Sequence, residues 1–250
     1  MTLSSILFFS ISVTSIWFVF QLFGKNYALD QPNVRKRHPR KIPQIGGLVF
    51  APILLLIGWW LDFAPSWYLI GGLVSILLGS ADDVYHVSWK VKLLVQLTLA
   101  TYIATVFWTN IGTINFYNYS FSITPIALFV LFLFWFIGIY NSVNLLDGLD
   151  GLAGGFMLIL CMGLGLFGLS AFSQLNSIIA VILLGFLIFN QRPAKLFMGD
   201  AGSLFLGFHT AVLPLLFAEN YSVSTTLNMT PFVLLTSFLI ADTTRVFFTR

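Results

Sequence analysis

Charge is scarce in this chain. Asp, Glu, Lys and Arg make up 8% of its 250 residues, against about a quarter in a soluble domain. With 58% hydrophobic residues beside them, that scarcity excludes a soluble globular fold and leaves no segment able to bury a separate core. There is one cysteine, Cys161, inside an apolar run, so no disulfide framework exists and packing is its expected role. Internal repeats, low-complexity tracts, interdomain linkers and a Gly-rich nucleotide loop are all missing. So are the alternating segments of about ten residues that a membrane β-barrel needs. The net charge of +3 does not point to nucleic acid, because the cations are grouped as membrane topology would group them.

Long apolar runs are what the chain has instead. Runs near 3–23, 46–61, 67–81, 91–109, 123–141, 153–170, 175–190, 203–218 and 229–248 predict nine spans. Backbone groups must be satisfied internally in lipid, so the spans are helices, and the expected fold is an all-α polytopic membrane protein. The first run has no preceding Lys or Arg and no small-residue cleavage pattern, which reads as an anchor and not a removed signal. Lys25, Arg35, Lys36, Arg37, Arg40 and Lys41 share the first loop, making it cytoplasmic and the N-terminus external. Threading alternately from there puts all twelve basic residues inside. The same threading gathers Asp82, Asp83, Asp147, Asp150, Asp200 and Asp242, six of nine acids, towards that face.

Four cytoplasmic stretches then carry candidate chemistry. The first loop reads either as a solvated topogenic loop or as a phosphate site built from Arg37, His38, Arg40 and Lys41, where Arg offers a bidentate fork. Its Gly46-Gly47 lets backbone pass close at the start of the second span. Asp82-Asp83 closes the third span. Adjacent carboxylates repel unless a cation or proton lies between them, and magnesium with substrate phosphates would relieve this. His86 beside them reads as structural. Residues 141–155 read as a hairpin loop with Asp-Gly turns, or as a polar site of Asn141, Asn144, Asp147 and Asp150. Asp200 opens the eighth span as an N-cap, or as part of an anion and metal site flanked by Gly199, Gly202, Arg192 and Lys195. His209, within that span, reads as buried between helices. Carboxylates, carboxamides and cations converging on one face are what phosphoryl transfer needs, and an acceptor already carrying phosphate can itself be the nucleophile.

Taken in order, residues 32–38 with 43–47, Asp82-Asp83, residues 141–152 and residues 197–203 resemble a known family. It is the polyprenyl-phosphate N-acetylhexosamine-1-phosphate transferases, glycosyltransferase family 4. The likeness is nearest to the bacterial UDP-GlcNAc:undecaprenyl-phosphate GlcNAc-1-phosphate transferases, with phospho-MurNAc-pentapeptide translocase more distant. The resemblance implies a multi-pass protein of the bacterial inner membrane in which lipid phosphate attacks the β-phosphate of a UDP-sugar. UMP leaves, and an O-antigen type of cell-surface polysaccharide is initiated. It implies Mg²⁺ (with Mn²⁺ as a substitute) held by Asp200 and Asp83. Asp82 and Asp83 would lie near the lipid phosphate, one of them as base or nucleophile, with Asp147 and Asp150 also catalytic. Asn144, Asp147 and Asp150 would shape the nucleotide site, Asn190 and Phe197 would lie near the uracil, and a homodimer is compatible with the family.

The chain departs from that pattern at two places. His86 stands where some relatives carry a third aspartate. The family also continues past the ninth span into a His-x-His loop and further helices, whereas this sequence stops at Arg250. One transmembrane domain, 1–250, truncated at its C-terminus and inserting without transfer activity, is the expectation from that ending. Two other readings compete: a transporter with cytoplasmic carboxylates, and an inactive relative that only binds lipid phosphate.

Overall fold

Residues 201–217 contain no charge, and in the computed structural model every one of them is buried. They form the body of α8 (Gly199–Asn220), a helix apolar all round and therefore suited to the centre of a bundle. The structure describes residues 3–24, 29–30, 41–107, 111–166, 173–220 and 226–249. Among these are eight further helices: α1 (Leu3–Phe23), α2 (Gly46–Trp60), α3 (Ser66–Tyr85), α4 (Trp89–Phe107), α5 (Pro125–Leu146), α6 (Leu152–Leu166), α7 (Ser173–Asn190) and α9 (Thr230–Thr249). Helices α3 and α5 pack most extensively on α8, with α2 beside them; α7 packs against α1 and α6, and α9 against α5.

Small residues set how closely these helices approach. A Cβ on Gly79 of α3 would overlap the backbone of Asp200 and Ala201, and one on Gly47 of α2 would overlap the backbone of Gly202. Close backbone approach through small residues is how helices associate where lipid offers no hydrophobic drive. Further along α8, His209 is fully buried and bridges two neighbours. Its Nδ1 lies 2.9 Å from the Tyr68 hydroxyl and its Nε2 3.1 Å from Asn176 Oδ1. A carbonyl oxygen only accepts, so Nε2 carries the proton and Nδ1 accepts from tyrosine. The interhelical role expected of His209 is borne out, and Cys161 is a buried free thiol.

The described helices match the nine apolar runs, and four of them are long and apolar enough to cross a membrane: Ser4–Phe23, Ser66–Tyr85, Pro125–Leu146 and Gly199–Phe217. Gly46–Trp60, Leu152–Leu164 and Gln174–Asn190 are apolar but shorter, while α4 and α9 carry Lys90, Lys92, Asp242 and Arg245. Helix α5 runs on to Leu146, so Asn141 and Asn144 are helical and the turn that follows is short. Helix α3 continues past 81 to Tyr85, where His86 terminates it in the left-handed conformation, φ 53°. The fold is also not purely helical. Strand β1 (Leu29–Asp30) pairs antiparallel with β2 (Ile42–Pro43). At the other end of the bundle, β3 (Thr113–Phe116) pairs with β4 (Tyr119–Ser122) and, in parallel, with β5 (Thr226–Asn228).

Candidate active site

The C-terminal turn of α3, the C-terminus of α5 and the N-terminus of α8 meet at one end of the bundle. Asp83 performs the joining. Its Oδ1 accepts from the Asp200 amide at 2.7 Å and its Oδ2 from the Ala201 amide at 3.1 Å. These are first-turn N–H groups without intrahelical partners, so a carboxylate from α3 caps α8. Gly199 makes room for it with φ +73°, and a Cβ there would stand 2.9 Å from the Asp83 carboxylate.

Asp82 turns the other way. It is buried, ion-paired with Lys92 Nζ of α4 at 2.6 Å, and its carboxyl is in hydrogen-bonding contact with that of Asp200. Asn144 of α5 donates to Asp200 Oδ1 at 2.8 Å and to Ser203 Oγ at 2.9 Å, fixing the Asp200 carboxylate from a third helix. Asp147, the C-cap of α5, is half-buried. Burial first, then the Asp200 and Asp83 carboxylates, push its carboxyl well above the usual carboxylate range. Asp82, Asp83, Asn144, Asp147 and Asp200 are thus brought together.

The other candidates fall outside this cluster. Asp150 accepts from the Ala194 amide at 3.1 Å. Asn190 is buried, accepting from the Gly151 amide at 3.0 Å and donating to the Leu196 carbonyl at 3.0 Å. Together they tie the turn after α5 to the segment before α8. Phe197 is half-buried, with its amide on the Pro43 carbonyl at 2.8 Å and its carbonyl accepting from Gly46 at 3.0 Å. Lys41 is exposed two residues before Pro43. Arg37, His38 and Arg40 lie outside the described residues. Lys92 was counted in the sequence only as a topological cation. Gln96, one turn further along α4, is buried and exchanges hydrogen bonds with Asn141 at 3.1 and 2.8 Å. The i,i+4 spacing of Lys92 and Gln96 was the signal available for both.

Could such a cluster hold a divalent cation? All donors are hard oxygens, and carboxyls forced into mutual contact need a proton or a cation between them. No group of three or more carboxylate, His or Cys side chains among the described residues is arranged to enclose a metal. Mg²⁺ is normally held by one or two carboxylates plus substrate phosphates, so the Asp82–Asp200 pair fits it.

A central apolar helix whose first-turn amides are capped by a carboxylate from α3 thus gathers acids and a cation at one end of the bundle. The chain belongs to glycosyl transferase family 4, whose model matches residues 66–218. It is 38% identical over 201 residues to a Bacillus subtilis (strain 168) protein named probable undecaprenyl-phosphate N-acetylglucosaminyl 1-phosphate transferase, covering 76% of this chain and 55% of that one. It is 32% identical over 210 residues to an undecaprenyl-phosphate alpha-N-acetylglucosaminyl 1-phosphate transferase of Thermotoga maritima, covering 84% and 63%. A phospho-N-acetylmuramoyl-pentapeptide-transferase of Streptococcus pyogenes serotype M49 is 36% identical over 216 residues, covering 75% and 63%. The chain therefore spans between about half and two thirds of the length of these relatives. With its apolar helices, it is a multi-pass membrane protein.

Proposed function

We propose that this protein transfers N-acetylhexosamine 1-phosphate, with UDP-GlcNAc as donor, to a polyprenyl phosphate such as undecaprenyl phosphate. An oxygen of the lipid phosphate bonds to the sugar-bearing phosphorus, the bridging bond to UMP breaks, and UMP leaves. The acceptor needs no serine or cysteine and no strict general base, because a phosphomonoester with a second pKa of about 6 is largely deprotonated near neutrality. The observation that carries this reading is the set of carboxylates fixed from three helices at the N-terminus of α8. A transporter would hold its polar groups near the midplane on broken helices, whereas these lie at helix ends.

The roles divide along the contacts. Asp200, with Asp82, would hold Mg²⁺, which when bound neutralises pyrophosphate charge. Asp83 orients α8 and so places Asp200. Asn144 holds one Asp200 oxygen and leaves the other free of it. Lys92 offsets the second negative charge at the pair. Asp147 and Asp150 lie on the turn over which the donor nucleotide passes, and Lys41 and its preceding cations supply phosphate contacts. On this reading the chain has nine spans and an external N-terminus and this face is cytoplasmic, which Lys41, Lys90, Lys92, Arg192 and Lys195 near it support. The test is Mg²⁺-dependent release of UMP from UDP-GlcNAc on adding polyprenyl phosphate in detergent, with UDP binding measured alongside. Absence of both UMP release and Mg²⁺-dependent UDP binding would overturn the reading.

A further inference from the structure

The chain from 111 to 128 holds no charged residue, yet it leaves the bundle and returns at the end opposite the carboxylates. Its register sorts the side chains cleanly. Ile114 pairs with Phe121 and Phe116 with Tyr119, while Ile114 also faces Leu227 in the parallel pair. Directly opposed residues share a face and neighbours along a strand alternate. One face of the sheet is therefore Ile114, Phe116, Tyr119, Phe121 and Leu227. The other is Thr113, Asn115, Ser120, Ser122, Thr226 and Asn228.

That apolar face is covered by protein only at one edge. Leu227 is buried, whereas Phe116, Tyr119 and Phe121 are 42%, 66% and 56% exposed. Ile114 and Leu227 roof a recess of about 290 Å³ whose other walls include Leu128 and Phe132 of α5 and Pro214 of α8. The recess also reaches Leu131, which is 54% exposed on the outer side of α5. The sheet's attitude is fixed. Tyr117 donates its amide to Thr230 Oγ1 at 2.6 Å, Met229 donates to the Asn115 carbonyl at 2.9 Å, and only Ile123 and Thr124 separate β4 from α5.

We propose that this three-stranded sheet is a membrane-docking surface, lying on the leaflet opposite the active site with Phe116, Tyr119 and Phe121 in the lipid interface. An acyl chain end occupies the recess beneath. The apolar face continues directly into α5, a helix long and apolar enough to cross a membrane, and the absence of charge removes any ionic means of recognising a protein. Aromatic side chains are also the residues membranes place at this depth. The polar face then meets water.

Nitroxide labels on single cysteines, in a Cys161→Ala background reconstituted in phosphatidylcholine–phosphatidylglycerol bilayers, test this. Tyr119→Cys, Ser120→Cys, Phe121→Cys and Ser122→Cys all fall at exposed positions, so labelling spares the bundle. Collision with oxygen, relative to a water-soluble nickel complex, should be several-fold higher at 119 and 121 than at 120 and 122. Uniform nickel access at all four positions would overturn the proposal by placing the sheet in water. Shielding of 119 and 121 from both reagents would also overturn it, by showing that a protein or a second copy covers the face.

Discussion

The double acceptance by Asp83 gives the sharpest prediction, because it assigns a job to a residue whose sequence reading was metal ligand and catalyst. Asp83→Asn keeps the shape but leaves one acceptor oxygen and turns an NH₂ group towards the second amide. One charge-assisted bond becomes ordinary, and one half-buried N–H loses its partner. A hydrogen bond to a charged group contributes about 1.5–3 kcal/mol, and an unsatisfied group costs about 1–3 kcal/mol. Allowing for the relief of a desolvated carboxylate, the net loss should be about 2–4 kcal/mol. At about 2–4 °C per kcal/mol for a chain of this size, the melting temperature in detergent should fall by about 4–16 °C. The deciding condition is EDTA. A cap acts without metal, so the fall must persist when no divalent cation is present. An Asp83→Asn protein that melts like the parent in EDTA, and differs only in its response to Mg²⁺, would refute the capping assignment.

Other outcomes follow from the same contacts. Asp200→Asn should abolish Mg²⁺-dependent UDP binding and reduce transfer by orders of magnitude while the protein remains folded, read by calorimetry and UMP release. Gly79→Ala drives a methyl into the α8 backbone and should cost about 1–3 kcal/mol in a melting experiment, whereas Gly138→Ala, which meets nothing within 4 Å, should be nearly neutral. Lys92→Gln removes the cation facing Asp82 and should weaken transfer, with Lys92→Arg restoring part of it. Asp147 holds its proton more tightly folded than unfolded. In EDTA, stability should therefore fall as pH rises from the ordinary carboxylate range towards neutrality, and Asp147→Asn should flatten that slope.

Much of the site's location was legible because lipid makes polarity conspicuous. Asp82 and Asp200 are far apart in sequence, yet one closes an apolar run and the other opens one on the face that the cations mark, so their meeting followed from topology. What each carboxylate does was not legible. Asp83 can reach the amides of Asp200 and Ala201 only because Gly79 lets α3 touch α8, and no pattern in either segment announces that contact. Asn190 is a similar case. The resemblance implies a place near the uracil, and the structure adds that its side-chain amide accepts from the Gly151 amide and donates to the Leu196 carbonyl, contacts that no spacing in the sequence announces.

The second sheet was missed for a related reason. Alternation of Ile114, Phe116, Tyr119 and Phe121 with Thr and Asn or Ser is a plain period of two, visible in the sequence. It lies in the gap between the apolar runs 91–109 and 123–141, and its partner strand, 226–228, comes only after the four helices α5 to α8. A two-stranded hairpin alone is marginal in water, and the third strand comes from the segment that leads into α9. The apolar bundle thus acts as the template that brings strand to strand at one end and carboxylate to amide at the other. Side-chain roles at both ends therefore depend on which helices touch, and that is information which hydropathy does not carry.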